Sequence, residues 1–262
     1  MHKTHNMSNT RIYRIWSDVK ARCYYVGNDN YKYYGERGIT MCEEWKDSFE
    51  NFYNWAISAG YNDDFVVQEY IKGTDANMRV LTCFCDQNSN VLFSSVGRVL
   101  LEEKGPDVTG NYSAIVNTED EKLVEAAKKF LKETNYKGYA NFDVKYDDET
   151  KDFYFFEVNV RLGRSNFYMG AGHTNYLEPC VDAYIYENVK DKYEQKGKEL
   201  YRIIPFCVIK KYVKDKELIK EYKKLKRNNP LDYKKDFSLK RKFYINMALI
   251  NHIRKFRKYY EK

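Results

Sequence analysis

The stretch FFEVNVRLGRSNFY, residues 155–168, decides how this sequence is read. It opens as a strand in which bulky apolar residues alternate with polar ones, so that Glu157, Asn159 and Arg161 fall at every second position. Alternate side chains of a strand share one face, about 6–7 Å apart along it. Phe156, Val158 and Val160 then take the other face. An ordinary half-solvated sheet has this pattern, and so does a functional site.

The preceding segment bears on the choice. NFDVKYD (141–147) and DFYFFEVN (152–159) flank a polar turn, DDETKD, and together read as a β-hairpin. A turn centred near residue 150 pairs residues whose numbers sum to about 300, which puts Asp143 opposite Glu157. Phe142, Val144 and Tyr146 are then expected to form a buried layer with Tyr154, Phe156, Val158 and Val160, whereas a slip of one residue would mix acids and aromatics on both faces. Two carboxylates directly opposed on a sheet repel, at a cost of a few tenths to about 1 kcal/mol. A divalent cation removes that cost. Magnesium takes hard oxygen ligands, commonly one or two carboxylates plus the phosphates of a substrate. Asp143, Glu157 and the amide oxygen of Asn159 supply such a set. Spacing alone leaves the solvated face equally open.

Composition sets the bounds. The chain of 262 residues is 43% hydrophobic, enough for one large domain or two modest ones with a real core. Its 26 Tyr and 15 Phe against four Pro point to a sheet-rich protein with bulky packing. No apolar run of about 18 residues is present, so no transmembrane helix is expected. The opening MHKTHNMSNTRIYRIW lacks the apolar centre of a secretion signal, and a cytoplasmic location is expected. The six cysteines are scattered; Cys83 and Cys85 form a C-x-C on a strand with no second pair, which reads as reduced structural thiols rather than zinc ligands. Charge is uneven. Residues 210–262 hold 19 Lys and Arg against 6 Asp and Glu, a net of +13, and the remainder of the chain is −6 against the overall +7. Such a tail suits phosphates, an anionic membrane, or an acidic part of the same fold.

Periodicity predicts helices in RIYRIWSDVKARCYY and EEWKDSFENFYNWAISAG, the latter with Trp45, Phe49, Phe52, Tyr53 and Ile57 on one stripe. FVVQEYI, NMRVLTCFCD and NVLFSSVGRVLLEE read as strands. TEDEKLVEAAKKFLKETNYKG reads as a helix with Thr118 as N-cap and Leu123, Ala126 and Phe130 inside. In the tail, Leu239, Phe243, Tyr244, Met247, Ile250 and Ile253 form an apolar stripe, expected to dock on the body of the protein. An anionic membrane surface is the rival for that stripe.

FDVKYD followed by FFEVNVRLGRSN resembles the metal-binding signature of the ATP-grasp ligases, an acid on one strand and E-x-N-x-R on the next. With QEYIKGTDANMRVL (68–81), the wording is similar to the carboxylate–amine ligase branch that includes D-aspartate ligase. The resemblance runs from about Phe65 to the C-terminus. It implies that Asp143, Glu157 and Asn159 hold two magnesium ions bridging ATP phosphates, and that Arg161 steadies the acyl-phosphate and developing oxyanion. It further implies that Gln68, Glu69 and Ile71 meet adenine, that Asp75 meets the ribose, that Arg79 and Arg164 contact anions, and that Gly110 and Asn111 belong to a substrate-covering loop. The family reaction phosphorylates a carboxylate with ATP and lets an amine displace phosphate; an amino acid or other carboxylate is the expected substrate.

Ahead of Phe65, RIYRIWSDVKARCYY, YKYYGERGITMCEEW and FENFYNWAISAGY are similar to a small module associated with phage HNH homing endonucleases. That resemblance covers residues 8–61 and implies DNA contact through a short sheet, with Lys20, Arg22, Lys32 and Arg37 available to phosphates. No His-Asn-His constellation follows, so nuclease activity is not expected. The 64 residues before Phe65 are few for the acceptor domain and the lid that ATP-grasp enzymes carry, and GERG (35–38) is too short and too charged for a glycine-rich phosphate loop. A truncated ligase with impaired turnover is therefore expected.

The whole reads as an α+β chain: a small phage-type α+β module at 1–64, the antiparallel-sheet large subdomain of a partial ATP-grasp fold at 65–200 flanked by helices, and a basic helical extension at 201–262. The leading expectation is an ATP- and Mg-dependent carboxylate–amine ligase acting through an acyl-phosphate. The alternative is a DNA-binding, phage-derived protein in which the ligase half is a scaffold.

Overall fold

The computed structural model describes residues 6–260 except 63–66, 68–69, 106–107, 109, 191–192, 232–233 and 237. Most of the expected strand FVVQEYI lies outside the described residues. The chain divides into two compact units, residues 1–70 and 71–262.

In the first unit, α1 (Arg11–Tyr24) begins at Thr10, whose side chain accepts from Tyr13 N at 3.3 Å. The single helix expected over EEWKDSFENFYNWAISAG is two, α2 (Glu43–Lys46) and α3 (Phe49–Ser58). Ser48 breaks it: its backbone is extended and its hydroxyl accepts from Asn51 N at 3.2 Å, offering the chain a cap in place of a continuous helix. Ile12, Phe49, Phe52 and Ala56 form the core, and Trp16 Nε1 donates to Trp45 O at 2.7 Å. Ile57 is exposed, Ala56 taking the inward position expected of it. Among the described residues of this unit there is no strand.

The second unit is built on a sheet of β1 (Met78–Cys85), β2 (Val91–Glu102), β3 (Tyr112–Thr118), β4 (Gly138–Asp147), β5 (Asp152–Asn159), β6 (Leu200–Arg202) and β7 (Arg227–Asn228). The spatial order is β5-β4-β1-β2-β3-β6-β7, antiparallel except between β6 and β7. MRVLTCFC is almost wholly buried because β1 is covered on both faces, which explains its nearly continuous apolar run. On one face lies α4 (Glu121–Glu133), packing Leu123, Ala127 and Leu131 against Leu81, Cys83 and Phe142. Two details differ from expectation. Thr118 ends β3, so the N-cap is Asp120, which accepts from Leu123 N at 3.1 Å. The inward row runs at intervals of four, which leaves Ala126 and Phe130 exposed. Burial beneath this helix pushes the Cys83 thiol upward, and the Cys85 thiol to about 11.

On the other face Tyr168 is fully buried, its ring seated over Gly97. A Cβ on Gly97 would stand 2.5 Å from Ile115 Cγ2 and 3.1 Å from Tyr168 Cε2, so no larger residue fits there. Beyond β5 the chain passes through the short α5 (Glu178–Val181) to β6, then α6 (Phe206–Tyr212), α7 (Lys216–Tyr222), β7 and α8 (Leu239–Tyr259). This C-terminal material shares one core with the sheet: Leu200, Ile209 and Phe256 pack with Leu100 and Leu101.

α8 docks by a different face from the one expected. Leu239, Phe243, Tyr244, Met247 and Ile250 are exposed, and of the expected stripe only Ile253 reaches the core, beside Phe256. The helix is apolar on more than one side, and only its last turns lie over the body. Phe256→Ala is accordingly expected to destabilise the protein by about 3 kcal/mol, and Phe243→Ala to leave stability within about 0.5 kcal/mol. Urea unfolding of the two variants beside the wild type measures the difference.

Candidate functional site

Pairing of β4 with β5 puts Asn141 opposite Asn159, Phe142 opposite Val158 and Asp143 opposite Glu157. Residues directly opposite share a face, so Asn141, Asp143, Glu157 and Asn159 make a polar quartet on the side of the sheet that carries Tyr168. The register then shifts: Val144 pairs with Phe155 and Tyr146 with Phe153, leaving Phe156 as the extra residue of a β-bulge. The apolar layer expected across the hairpin is displaced accordingly. Phe153 and Phe155 take the places expected of Tyr154 and Phe156, and Phe155, Phe156, Val158 and Val160 are exposed because β5 is the edge of the sheet.

The quartet is held from beneath. Tyr112 of β3 donates its hydroxyl to Asp143 Oδ1 at 2.8 Å. Thr82 of β1 donates to Asn141 Oδ1 at 2.9 Å, and the Tyr168 hydroxyl lies 3.2 Å from Thr82 while donating to Ser95 O at 2.8 Å. The segment after β5 curls over the same place. Gly163 allows it, since a Cβ there would meet Asn166 Oδ1 at 2.6 Å and Asn141 Oδ1 at 3.1 Å. The result is a cavity of about 290 Å³ walled by the quartet and Tyr112, with Arg161 and Arg164 bringing two cations and Gly110 and Asn111 forming part of the rim.

Electrostatically the site is strained toward a cation. Burial raises the Asp143 carboxyl above its ordinary range; Glu157 raises it further, and the Tyr112 hydrogen bond works against both. Tyr112 is itself pushed upward by burial and by Asp143. Asn166 Oδ1, on the same cavity wall, is buried without a hydrogen-bond partner. Among the described residues no three His, Cys, Asp or Glu side chains gather into a metal cage. Two carboxylates, an amide oxygen and an orphaned oxygen therefore fit a hard cation that completes its shell from water or a ligand's phosphates.

The raised Asp143 value has a sign that can be tested. A carboxyl whose folded pKa lies above its unfolded value subtracts stability at high pH, and the subtraction fades as pH falls through the folded value. In chelator, Asp143→Asn is expected to be more stable than the wild type by up to about 1 kcal/mol at neutral pH. The difference should close on acidification through the raised carboxylate range. Thermal melts of both proteins across that range measure it.

Not every residue expected at the site is there. Asp143, Glu157, Asn159, Arg161 and Arg164 line one cavity. Gln68 and Glu69 lie outside the described residues. Ile71 is buried, its carbonyl accepting from Lys145 Nζ at 2.6 Å. Asp75 and Arg79 line a different cavity. Arg79 precedes Val80, the partner of Asp143 on β4, so it points to the opposite face of the sheet. Tyr112, Asn141, Ser165 and Asn166 were not anticipated. Asn141 carried a readable signal, since it stands two residues before Asp143 as Glu157 stands two before Asn159. The other three reach the site only through the fold.

The second unit thus combines a seven-stranded, largely antiparallel sheet, paired acids near its edge and a glycine-bearing segment curled over them. The chain belongs to the ATP-grasp family: the family's ATP-grasp domain matches residues 32–165. Among curated proteins it is similar to the D-aspartate ligase of Enterococcus faecium (strain Aus0004), 32% identical over 231 residues that cover 83% of this chain and 54% of that protein. The chain thus spans about half the length of this relative. Among solved structures, biotin carboxylase from Campylobacter jejuni is 21% identical at a TM-score of 0.39, covering 53% of this chain and 32% of that one. The L-amino acid ligase from Bacillus licheniformis is 17% identical at a TM-score of 0.30, covering 42% and 30%. Among the described residues no helix is long and apolar enough to cross a membrane.

Proposed function

We propose that the chain carries the metal- and phosphate-binding half of an ATP-dependent carboxylate–amine ligase, acting on an amino acid or related carboxylate. One observation carries the reading: Asp143 and Glu157 lie directly opposed on paired strands, with Asn141 and Asn159 paired alongside, all on the wall of one cavity. Family membership and the D-aspartate ligase likeness support the reaction class. Asp143, Glu157 and Asn159 would hold magnesium, which would supply neutralisation of the charge on the phosphates of ATP.

The chain's own side chains supply the rest. Tyr112 holds Asp143 in place through a 2.8 Å hydrogen bond, and the Thr82–Asn141 contact fixes the second polar row. Arg161, beside the pair, places a cation where negative charge develops during acyl transfer. Arg164 brings a second cation, balanced by buried Glu103 at 3.7 Å.

Calorimetric titration of ATP into the purified chain, in magnesium and then in EDTA, tests the reading. Binding should require the cation. Nucleotide binding of equal strength in EDTA, or none in either condition, would overturn it. With magnesium present, ADP formation across a panel of amino-acid pairs then identifies the substrates.

A further inference from the structure

The other face of the sheet holds a second concentration of charge. β1 and β2 pair Arg79 directly with Arg98. Like charges placed so are destabilising, and the usual remedy is missing: among the described residues neither guanidinium has a carboxylate within ion-pair distance. What the two share is a backbone acceptor. Ala76 O accepts from Arg79 Nη1 at 2.9 Å and from Arg98 Nε at 3.2 Å, and Met78 O accepts from Arg79 Nη1 at 3.0 Å. The guanidiniums are thereby anchored side by side.

They open on a cavity of about 750 Å³ to which Lys214 adds positive charge, while Lys104 on the same wall is paired with Asp75 at 3.1 Å and Glu102 at 3.6 Å. The acids on its wall are committed elsewhere. Asp75 accepts from Lys104 Nζ at 3.1 Å, Glu102 N at 3.0 Å and the Tyr260 hydroxyl at 3.2 Å. Asp148 accepts from Asn77 Nδ2 at 2.7 Å, and Asp215 caps α7 through the amides of Glu217 and Leu218. Burial, and then the charge of Arg98, pulls Arg79 down to about 10, against the smaller opposing effects of Asp120, Tyr222 and Asp148. Among the described residues the acids of this wall thus leave both guanidiniums without an ion-pair partner.

We propose that Arg79 and Arg98 form a binding site for a phosphate-bearing anion, inorganic phosphate or a phosphate monoester, on the face of the sheet opposite Asp143 and Glu157. A tetrahedral dianion offers separate oxygens to two guanidinium forks and a charge to match both, which one carboxylate does not. Tyr146, whose ring lies 6.0 Å from the Arg79 guanidinium carbon, and Tyr212 give the cavity apolar walls for an ester group. Strand alternation separates this site from the metal-facing cavity, so it stands whether or not the chain is a ligase.

The test is a titration of the full chain with inorganic phosphate at constant ionic strength, in EDTA so that no cation bridges phosphate to the carboxylates. Saturable binding is expected in the wild type, about tenfold or more weaker in Arg98→Gln, and unchanged in Asp143→Asn. Arg98→Gln removes a like-charge pair and should fold at least as stably as the wild type, so that its loss of binding reports the site. Acetate should not compete. Competition by AMP marks a monoester as the natural source, and its failure marks free phosphate. No saturable binding in the wild type, equal binding by Arg98→Gln, loss in Asp143→Asn, or competition by acetate overturns the proposal.

Discussion

Glu157→Gln is expected to abolish magnesium-dependent nucleotide binding and to lower any ADP formation by about 10³-fold. The substitution keeps the shape of the side chain and removes one of the two opposed charges. The affinity of a divalent ion for two carboxylates rests on those charges, and a neutral amide replaces only part of one. The same change relieves the repulsion acting on Asp143, so the cation-free protein should be no less stable than the wild type. Loss of binding together with retained or improved stability is the signature of a site that spends stability on function. Calorimetry with ATP, in magnesium and in EDTA, and a thermal melt of the same sample give both halves of the result. A variant that binds magnesium–ATP as the wild type does would remove Glu157 from the site.

Arg161→Ala is expected to act differently. Arg161 sits beyond the end of β5 on the rim of the same cavity, its Nη1 donating to Leu162 O at 3.2 Å. It does not pair with the acids. Its proposed task is to meet charge that appears only as the reaction proceeds, so its removal should lower turnover by about 10²–10³-fold while leaving nucleotide affinity within a few fold. Arg161→Lys should recover part of the loss, because a point charge replaces the charge but not the planar fork. Rapid-quench measurement of ADP formation, beside equilibrium titration, separates the two effects. Equal loss in both would make Arg161 a binding group for the nucleotide itself.

How much of this was legible in the sequence differs from one part of the molecule to another. The pairing of Asp143 with Glu157 was readable because a hairpin fixes its register through the turn and through the need to keep acids off the buried face. The bulge at Phe156 was not, since nothing in FFEV marks one residue as extra and only the edge position of β5 leaves room for it. The helix over 121–133 was plain, yet its inward row was misjudged, because a helix apolar on more than one side lets the sheet beneath choose which side is buried. The same ambiguity misplaced the stripe on α8. Arg79 was expected to contact an anion on the strength of its motif; which face it takes depends on the pairing of Val80 with Asp143, a register between strands distant in the chain that no turn fixes. Tyr112 could not have been found by spacing, since it approaches the acids from a strand distant in the chain. Asn166, though only nine residues beyond Glu157, reaches the cavity through a curl of the backbone that strand alternation does not foretell.

The bulge between the polar quartet and the hairpin tip has a practical meaning. On the site side of Phe156 the strands keep one register, and on the tip side another, so an error in the length of the turn is taken up before it reaches Asp143. The tip itself, Asp148 to Lys151, is exposed. A peptide spliced between Glu149 and Thr150 should therefore be carried as cargo, leaving the acids aligned. That makes the hairpin a natural handle: a fluorophore or affinity tag grafted there would report on the site from outside it, at a distance set by the short run of strand between Asp143 and the turn.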